Sequence, residues 1–485
     1  MNTPSGHDTQ TAPAGAGTSP FPVSPAPSSA LPAPTSTSST IPATTRAADA
    51  TPPLTRYEWA LLCSAYISQC VAFSFFFVAL SSILRGNGAQ LEDLSFIYLL
   101  GLAPGLKFLW APLMDRYGFG RWGHYSRWLV VMQAALIVTL WGMAQLDIGH
   151  GRPLPWTGLV LGCFAMSFFT ACQDMAADGL STRLLSPSQR GLGNALQMAC
   201  GSIGFIAGGG GVLALYEHAG WQTALMCLTV LNVITLVLAL LYREPAHARP
   251  EVVVRERMLD YWREIGRFWT RPDTGWRWAF IIVMLQAGVF MAYSVMSPML
   301  VDAGWSFSKI GEIANGYGTA LGMASMIGFG WLLRRWSLNR ALFVILPGQV
   351  LGVVLLAVPL LLKAGAIGTG SPELAGAAAS EGNAGGISDI WIMLGVAGFM
   401  MCYMPMGVLI STLMMGRSSA HAPATDFSVQ YGLYLSAGYG AGALGLPLAQ
   451  RMGYAGLLTL AGVICLLMAV VIPLMYRRIS RPAAA

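Results

Sequence analysis

The sequence predicts an all-α integral membrane protein, and three observations support that prediction. The 485 residues are 55% hydrophobic and only 10% charged, whereas soluble domains carry about 25% charged residues. From Tyr57 onward the chain is a succession of apolar runs of roughly 20 residues, the length that spans a bilayer. The Arg residues cluster in alternate connections between these runs, as they do in cytoplasmic loops. The net charge of +6 therefore reflects membrane topology rather than nucleic-acid binding.

Residues 1–53 are almost entirely Pro, Ala, Ser and Thr. A segment of this composition buries too little apolar surface to offset its ordering entropy, which predicts a disordered cytoplasmic tail. It lacks the charged region followed by an apolar region that marks a signal peptide. A misassigned start codon is the alternative interpretation.

Twelve spans are predicted, and their positions follow the apolar runs. They are residues 57–83, 92–114, 128–146, 156–178, 192–216, 222–242, 278–301, 309–332, 340–362, 388–412, 426–450 and 454–475. The connections 2–3, 4–5 and 8–9 and the C-terminus hold 11 Arg residues, whereas the connections on the other side hold at most one Lys or Arg each. By the positive-inside rule both termini are expected in the cytoplasm, and an even number of spans agrees with that orientation.

The one long charged segment, 243–277, divides the spans into six and six. Its stretch MLDYWREIGRFW at 258–269 has apolar residues at helical spacing opposite Arg263 and Arg267, which predicts an amphipathic helix on the membrane surface. We expect six-helix bundles at 57–242 and 278–476, the linker at 243–277 between them, and a cytoplasmic tail at 477–485. Two pseudo-symmetric bundles of this kind are typical of a duplicated transporter.

Lys107 lies inside the second apolar run, GLAPGLKFLWAPLMDRY at 101–117. A Lys at the centre of a membrane helix costs about 2.5–3.5 kcal/mol to insert, so its ammonium needs a partner or a hydrated cavity. It precedes Asp115 by eight residues and so lies roughly 12 Å deeper. Two interpretations remain open. Either Lys107 snorkels toward the cytoplasm, or it lines a central cavity and attracts an anionic substrate.

Asp174 and Asp178 are four residues apart in QDMAADGLSTRLL. This spacing places both carboxylates on one helical face, where they repel unless a cation or a proton lies between them. Arg183 and Arg127 are the candidate cations. The pair is therefore either a proton-coupling site or a static salt bridge at the membrane edge.

Further polar residues complete the set of candidates. Asp115 and Arg116, with Arg121, form either a gating latch at the end of the second span or a charge cluster that sets topology. In GRSSAHAPATDFSVQ, Arg417 and Asp426 flank the turn between spans 10 and 11 and are the counterpart charge pair. Substrate contacts are predicted at Lys107 and at three amides, each of which also suits an inter-helix hydrogen bond: Gln133, Gln197 and Gln286. Other polar residues within the spans are Gln69, Asn194, Asn315, Gln349 and Gln430.

Four motifs resemble the peptide–acetyl-coenzyme A–drug transporter branch of the major facilitator superfamily, which includes AmpG-type muropeptide permeases and RhtX/FptX-type siderophore permeases. They are KFLWAPLMDRY (107–117), QDMAADGL (173–180), RGLGNALQ (190–197) and TDFSVQ (425–430). The likeness extends over 57–476. The second, third and fourth motifs resemble the siderophore group more closely, and Asp115-Arg116 followed by Arg121 is loosely similar to the superfamily's loop signature.

The resemblance implies a monomeric, proton-coupled inner-membrane transporter that imports a siderophore or a similar anionic, peptide-like solute by alternating access. A muropeptide permease and a small-molecule or drug exporter are the alternatives. No GxxxxGK[ST] motif is present, so we expect the proton gradient as energy source and neither cofactor nor metal. A membrane-embedded acyltransferase would need a His-Asp or Cys-His constellation. The His residues of the loops have no such neighbours, so we do not expect an enzyme.

Overall fold

The apolar runs fold into helices because a chain in hydrocarbon must satisfy its backbone polar groups within each segment. The computed structural model describes residues 54–119, 123–149, 153–185, 189–244, 258–366, 389–419 and 423–480. All regular structure in these residues is helical. Residues 1–53, for which the sequence predicts a disordered tail, and residues 481–485 lie outside them.

Eight helices among the described residues are long and apolar enough to cross a membrane. They are Arg56–Gly86, Tyr125–Ala144, Trp156–Leu184, Leu196–Leu241, Gly275–Asp302, Leu338–Pro359, Asp389–Met415 and Thr425–Ile479. Two of them consist of a pair of helices joined at a glycine with positive φ, Gly220 (φ 79°) and Gly453 (φ 75°). Gly adopts this conformation without steric cost. Each of these two helices therefore contains two predicted spans.

Two further predicted spans are interrupted helices. The second comprises Leu91–Leu100, Ala103–Leu106, a 3-10 turn at Lys107–Leu109 and Ala111–Arg116. The eighth comprises Phe307–Ile310, a π-helix at Gly311–Tyr317 and Gly318–Leu333. The described residues thus contain all twelve predicted spans, called spans 1 to 12 below. A linker helix, Met258–Thr270, lies where the sequence predicts an amphipathic helix.

Successive spans run in opposite directions, so the connections alternate between two ends of the molecule. One end, called the basic end, carries Arg183, Arg334, Arg335, Arg340, Arg477 and Arg478. The other, called the opposite end, carries Arg85, Lys309 and Arg451.

The packing of apolar side chains differs between these two ends. Toward the basic end each six-span half has its own core, around Leu129 and Leu180 in the first half and around Trp278 and Leu409 in the second. Toward the opposite end a single core contains residues of both halves. The molecule is thus a pair of six-helix bundles that are packed together at the opposite end.

Polar contacts join the halves at the opposite end. Arg85 of span 1 donates to both carboxylate oxygens of Asp302 of span 7 at 2.7 to 3.1 Å. Tyr454 of span 12 donates to the same carboxylate at 2.5 Å. Bidentate Arg–carboxylate pairs are strong and geometrically specific. Arg85, Asp302 and Tyr454 are called the latch below; they are distinct from the gating latch predicted at Asp115 and Arg116.

Spans 5 and 8 cross with their backbones in contact. π-helical stretches occur in spans 1, 5 and 8, at Phe75–Leu80, Ala207–Gly211 and Gly311–Tyr317. A Cβ atom on Gly210 would lie 2.6 Å from the carbonyl oxygen of Gly311. Beside this point Asn315 donates to the Phe205 carbonyl oxygen at 3.0 Å. The crossing therefore has no room for a side chain.

Candidate functional site

The break in span 2 follows from its prolines and positions Lys107. Pro112 has no backbone N–H, so the carbonyl oxygen of Phe108, four residues earlier, loses its helical donor. Tyr261 of the linker helix donates its hydroxyl to that carbonyl at 2.9 Å. The chain between Pro104 and Pro112 therefore forms a 3-10 turn, and Lys107 is its first residue.

Lys107 and Asp174 form a buried ion pair between spans 2 and 4. The Lys107 ammonium donates to Oδ2 of Asp174, and the Gln69 amide of span 1 donates to Oδ1. The side chains are 19% and 12% exposed, respectively. This pairing explains how a lysine is accommodated inside an apolar span, because a buried charge requires a partner with good geometry.

Asp178 lies on the same face of span 4, one turn closer to the basic end. Its Oδ1 accepts from the Gln197 amide of span 5 at 3.2 Å. The sequence predicts Arg183 or Arg127 as the cation beside these carboxylates. Instead, Lys107 contacts Asp174, and the guanidinium of Arg183 lies over the ring of Tyr125, 5.4 Å from its centre.

Arg127 lies near the start of span 3 and is half-buried. The backbone of Asp115 and Arg116 is the last turn of span 2. Their side chains lie outside the described residues, so the predicted gating latch at this position remains a prediction.

The amides predicted to contact substrate occupy three different environments. Gln197 binds Asp178, as described above. Gln133 is fully buried inside the first bundle, where it donates to Asn232 at 2.6 Å and to Ser68 at 3.0 Å. Gln286 is 4% exposed and lies in span 7 of the second bundle. Of these three amides, only Gln197 contacts a carboxylate of span 4.

Asp426 is in a second charged cluster, at the basic end of the second half. Its carboxylate, 2% exposed, accepts from Arg271 at 3.2 Å and from the Ser419 backbone N–H at 2.8 Å. The Arg417 guanidinium lies over the Trp278 ring, 4.6 Å from its centre, and the Arg417 carbonyl accepts from Arg271 at 2.6 Å. The cation paired with Asp426 is thus Arg271, from the segment between the linker helix and span 7.

Comparison with known proteins identifies the family. A model of the Major Facilitator Superfamily matches residues 62–446. The chain belongs to the Major Facilitator Superfamily. It is therefore a multi-pass membrane protein.

Curated relatives in this superfamily match about half of the chain. The anhydromuropeptide permease of Escherichia coli K12 is 28% identical over 257 residues, which are 53% of this chain and 51% of the permease. A protein named putative transporter AmpG 4, from Rickettsia felis, is 22% identical over 259 residues, 52% of this chain and 61% of that one. The chain thus spans about half the length of the permease that it matches.

Solved structures show the same fold at low sequence identity. The nucleoside transporter NupG aligns with a TM-score of 0.62 and 12% identity, covering 87% of this chain and 100% of that one. A POT family transporter in complex with 5-aminolevulinic acid aligns with a TM-score of 0.65 and 11% identity, covering 87% and 96%. These likenesses establish the fold and not the substrate.

Sequence reasoning missed two residues that hold the site in place. Tyr261 was assigned only to the linker helix, although Pro112 predicts a carbonyl without a helical donor at Phe108. Arg271 follows the linker helix directly, and no sequence pattern pairs it with Asp426. Gln69 was recognised only as a polar residue within a span, and its bond to Asp174 depends on how spans 1 and 4 pack.

Proposed function

We propose that the chain is a proton-coupled importer of an anionic sugar–peptide of the muropeptide class in the bacterial inner membrane. It acts as a monomer with the basic end and both termini in the cytoplasm. The observation that carries the proposal is the buried Lys107–Asp174 ion pair, at the level where the two halves of a transporter bind their solute.

The ion pair provides a route to coupling. While Asp174 is ionised it holds the Lys107 ammonium, so Lys107 does not bind an anion. When Asp174 takes a proton, the Lys107 ammonium loses the counter-charge that it contacts in a poorly solvated site, and a substrate carboxylate replaces Asp174 as its partner. Proton binding and anion binding then favour each other, which is reciprocal linkage. Release of both on the other side restores the original pair.

Asp178 extends this arrangement to two carboxylates and one ammonium. Ionised Asp174 and Asp178 on one face repel each other, and one proton bound by either carboxylate removes that repulsion. We assign the transported proton to this pair.

The muropeptide class is supported by the relative from Escherichia coli, whose name states that it is an anhydromuropeptide permease. A muropeptide carries peptide carboxylates that suit Lys107. A siderophore is the second candidate, favoured by the QDMAADGL and TDFSVQ motifs. Many siderophores are also anionic, so Lys107 alone does not separate the two.

Uptake into proteoliposomes tests the proposal. We expect labelled anhydromuropeptide to accumulate when the outside is acidic, and accumulation to decrease as the outside pH rises and the carboxylate pair loses its proton. Asp174→Asn mimics the protonated state, so it should retain exchange of labelled substrate across the membrane but lose pH-driven accumulation. Normal pH-driven accumulation in that variant would refute the coupling role of Asp174.

The same vesicles decide between the two substrate classes. Uptake of a labelled ferric siderophore, with no uptake of anhydromuropeptide, would replace the first candidate by the second. An unchanged rate on dissipation of the pH gradient would contradict proton coupling for either substrate.

A further inference from the structure

Six aromatic rings close the space between the two halves beyond the Lys107–Asp174 pair. The rings of Phe77 in span 1 and Tyr439 in span 11 are stacked, with centres 4.9 Å apart and planes within 8° of each other. Tyr439 also contacts Phe290 of span 7 at 5.8 Å. We call the set the aromatic plug; it consists of Phe73, Phe77, Phe290, Tyr293, Tyr403 and Tyr439.

The aromatic plug lies between the ion pair and the latch. In span 1, Gln69 contacts Asp174, Phe77 follows eight residues later, and Arg85 of the latch follows eight residues after that. At 1.5 Å per residue each step is roughly 12 Å. In span 11, Gly432 packs against the backbone of Gly105, two residues before Lys107, and Tyr439 lies seven residues beyond Gly432. A solute that fits both positions therefore has its anionic group roughly 10 Å from its ring.

Two hydroxyls beside this path are buried without a hydrogen-bond partner among the described residues. Tyr439 is 1% exposed, and neither its hydroxyl nor Oγ1 of Thr170, which is 8% exposed, has a partner. A buried polar group left unpaired costs about 1–3 kcal/mol. Thr170, Phe73 and Phe77 line a cavity of about 20 Å³, which is too small for a sugar ring. A ring can enter only when Phe77 and Tyr439 separate.

We propose that Tyr439 is a specificity-determining residue for the ring portion of the solute. When spans 1 and 11 separate, the Tyr439 ring receives a face of the solute's hydroxylated or acylated ring in place of Phe77. The Tyr439 hydroxyl then bonds to a ring substituent and gains the partner it lacks in the closed arrangement. The inference rests on the proposed function for the identity of the ring, and it assigns the peptide carboxylates to Lys107 and the sugar to Tyr439.

A site built to hydrogen-bond a ring substituent discriminates against ligands that lack the ring, because its polar group is otherwise left unpaired. The test is thermal-shift titration of the purified full chain with three probes: an anhydromuropeptide, its peptide alone and its anhydro amino sugar alone. The variant is Tyr439→Phe. The matched control is Tyr242→Phe, which removes a buried tyrosine hydroxyl that donates to Glu58 at 3.1 Å, far from the aromatic plug.

We expect Tyr439→Phe to weaken binding of the anhydromuropeptide and of the amino sugar about tenfold, or 1.4 kcal/mol, with the affinity for the peptide unchanged. The unliganded variant should melt at a higher temperature than wild type, because an unpaired buried hydroxyl has been removed. Tyr242→Phe should melt at a lower temperature and bind all three probes as wild type does. Equal weakening of all three probes by Tyr439→Phe, or no weakening, would overturn the assignment.

Failure of the proposed function and failure of the ring subsite give different binding results. If wild type binds no anhydromuropeptide but binds a ring-bearing ferric siderophore, and Tyr439→Phe weakens that binding, the muropeptide class is wrong and the role of Tyr439 stands. If wild type binds the peptide as tightly as the anhydromuropeptide and does not bind the sugar, the ring subsite is wrong and the transported class remains open to the uptake assay. If wild type binds no ring-bearing probe, both the muropeptide class and the role of Tyr439 are overturned.

Discussion

The site has one positive charge, the ammonium of Lys107 in span 2. It has two carboxylates, Asp174 and Asp178, on one helical face of span 4. The contact of Lys107 with Asp174 is buried, and removing one member of such a pair leaves the other charged and unpaired. The loss of stability from breaking the pair is therefore distinct from the contribution of Lys107 to transport. Single substitutions at this site confound the two, and a double substitution separates them.

Lys107→Ala should destabilise the protein by about 3–5 kcal/mol, because the Asp174 carboxylate is left without its cation. Adding Asp174→Asn to that variant should restore most of the stability, since the remaining group is neutral. Thermal unfolding in detergent measures both effects. Uptake should be absent from the single and the double variant alike, and uptake in the stable double variant would show that Lys107 does not bind substrate.

The interrupted helix of span 2 depends on Pro112 and on Tyr261 together. The hydroxyl of Tyr261 supplies the donor that Pro112 denies to the Phe108 carbonyl. The linker helix thereby contacts the first half directly beside Lys107, while Arg271, just after its C-terminal end, is bonded to Asp426 in the second half.

Tyr261→Phe should lower the free energy of unfolding by about 1 kcal/mol, the value of one net hydrogen bond. In a Pro112→Ala background the same change should cost less, because the N–H of residue 112 then bonds to Phe108. A double-mutant cycle on thermal stability measures this coupling. Additive effects would indicate that Tyr261 does not substitute for the missing helical donor.

At the scale of single elements, the sequence predicts where a span lies better than where its helix is interrupted. All twelve spans were predictable, because runs of apolar residues between Arg-rich connections are a strong signal. The turn at Lys107–Leu109 and the π-helical stretch at Gly311–Tyr317 were not predicted, since apolar periodicity does not register a local change of hydrogen-bond spacing. Lys107 is predicted from the cost of a buried charge and Asp174 from its four-residue spacing to Asp178, but their pairing depends on the packing of spans 2 and 4.

Across the whole molecule, the halves share a core at the opposite end and have separate cores toward the basic end. Sealing of the opposite end therefore combines apolar burial, the aromatic plug and the latch. The latch contains an ion pair between the halves, and one isosteric substitution weakens it.

Asp302→Asn should favour opening at the opposite end, because it removes the charge that Arg85 contacts through two hydrogen bonds. A Ser294→Cys substitution reports this, since Ser294 is fully buried in span 7. Its labelling by a membrane-impermeant maleimide should accelerate severalfold in the Asp302→Asn background. Asp389→Asn is the matched control, because Asp389 pairs with Lys309 of the same half. Equal acceleration by both substitutions would argue against a latch between the halves.

The crossing of spans 5 and 8 at two glycines determines what a side chain added there would change. Where Gly210 meets Gly311, the two halves present only backbone to each other, and beside that point the Asn315 amide of span 8 donates to the Phe205 carbonyl of span 5. A methyl group added to Gly210 would clash with the Gly311 backbone in this conformation. We therefore expect Gly210→Ala to disfavour the arrangement that is sealed at the opposite end, and so to shift the balance between conformations rather than to alter a substrate contact.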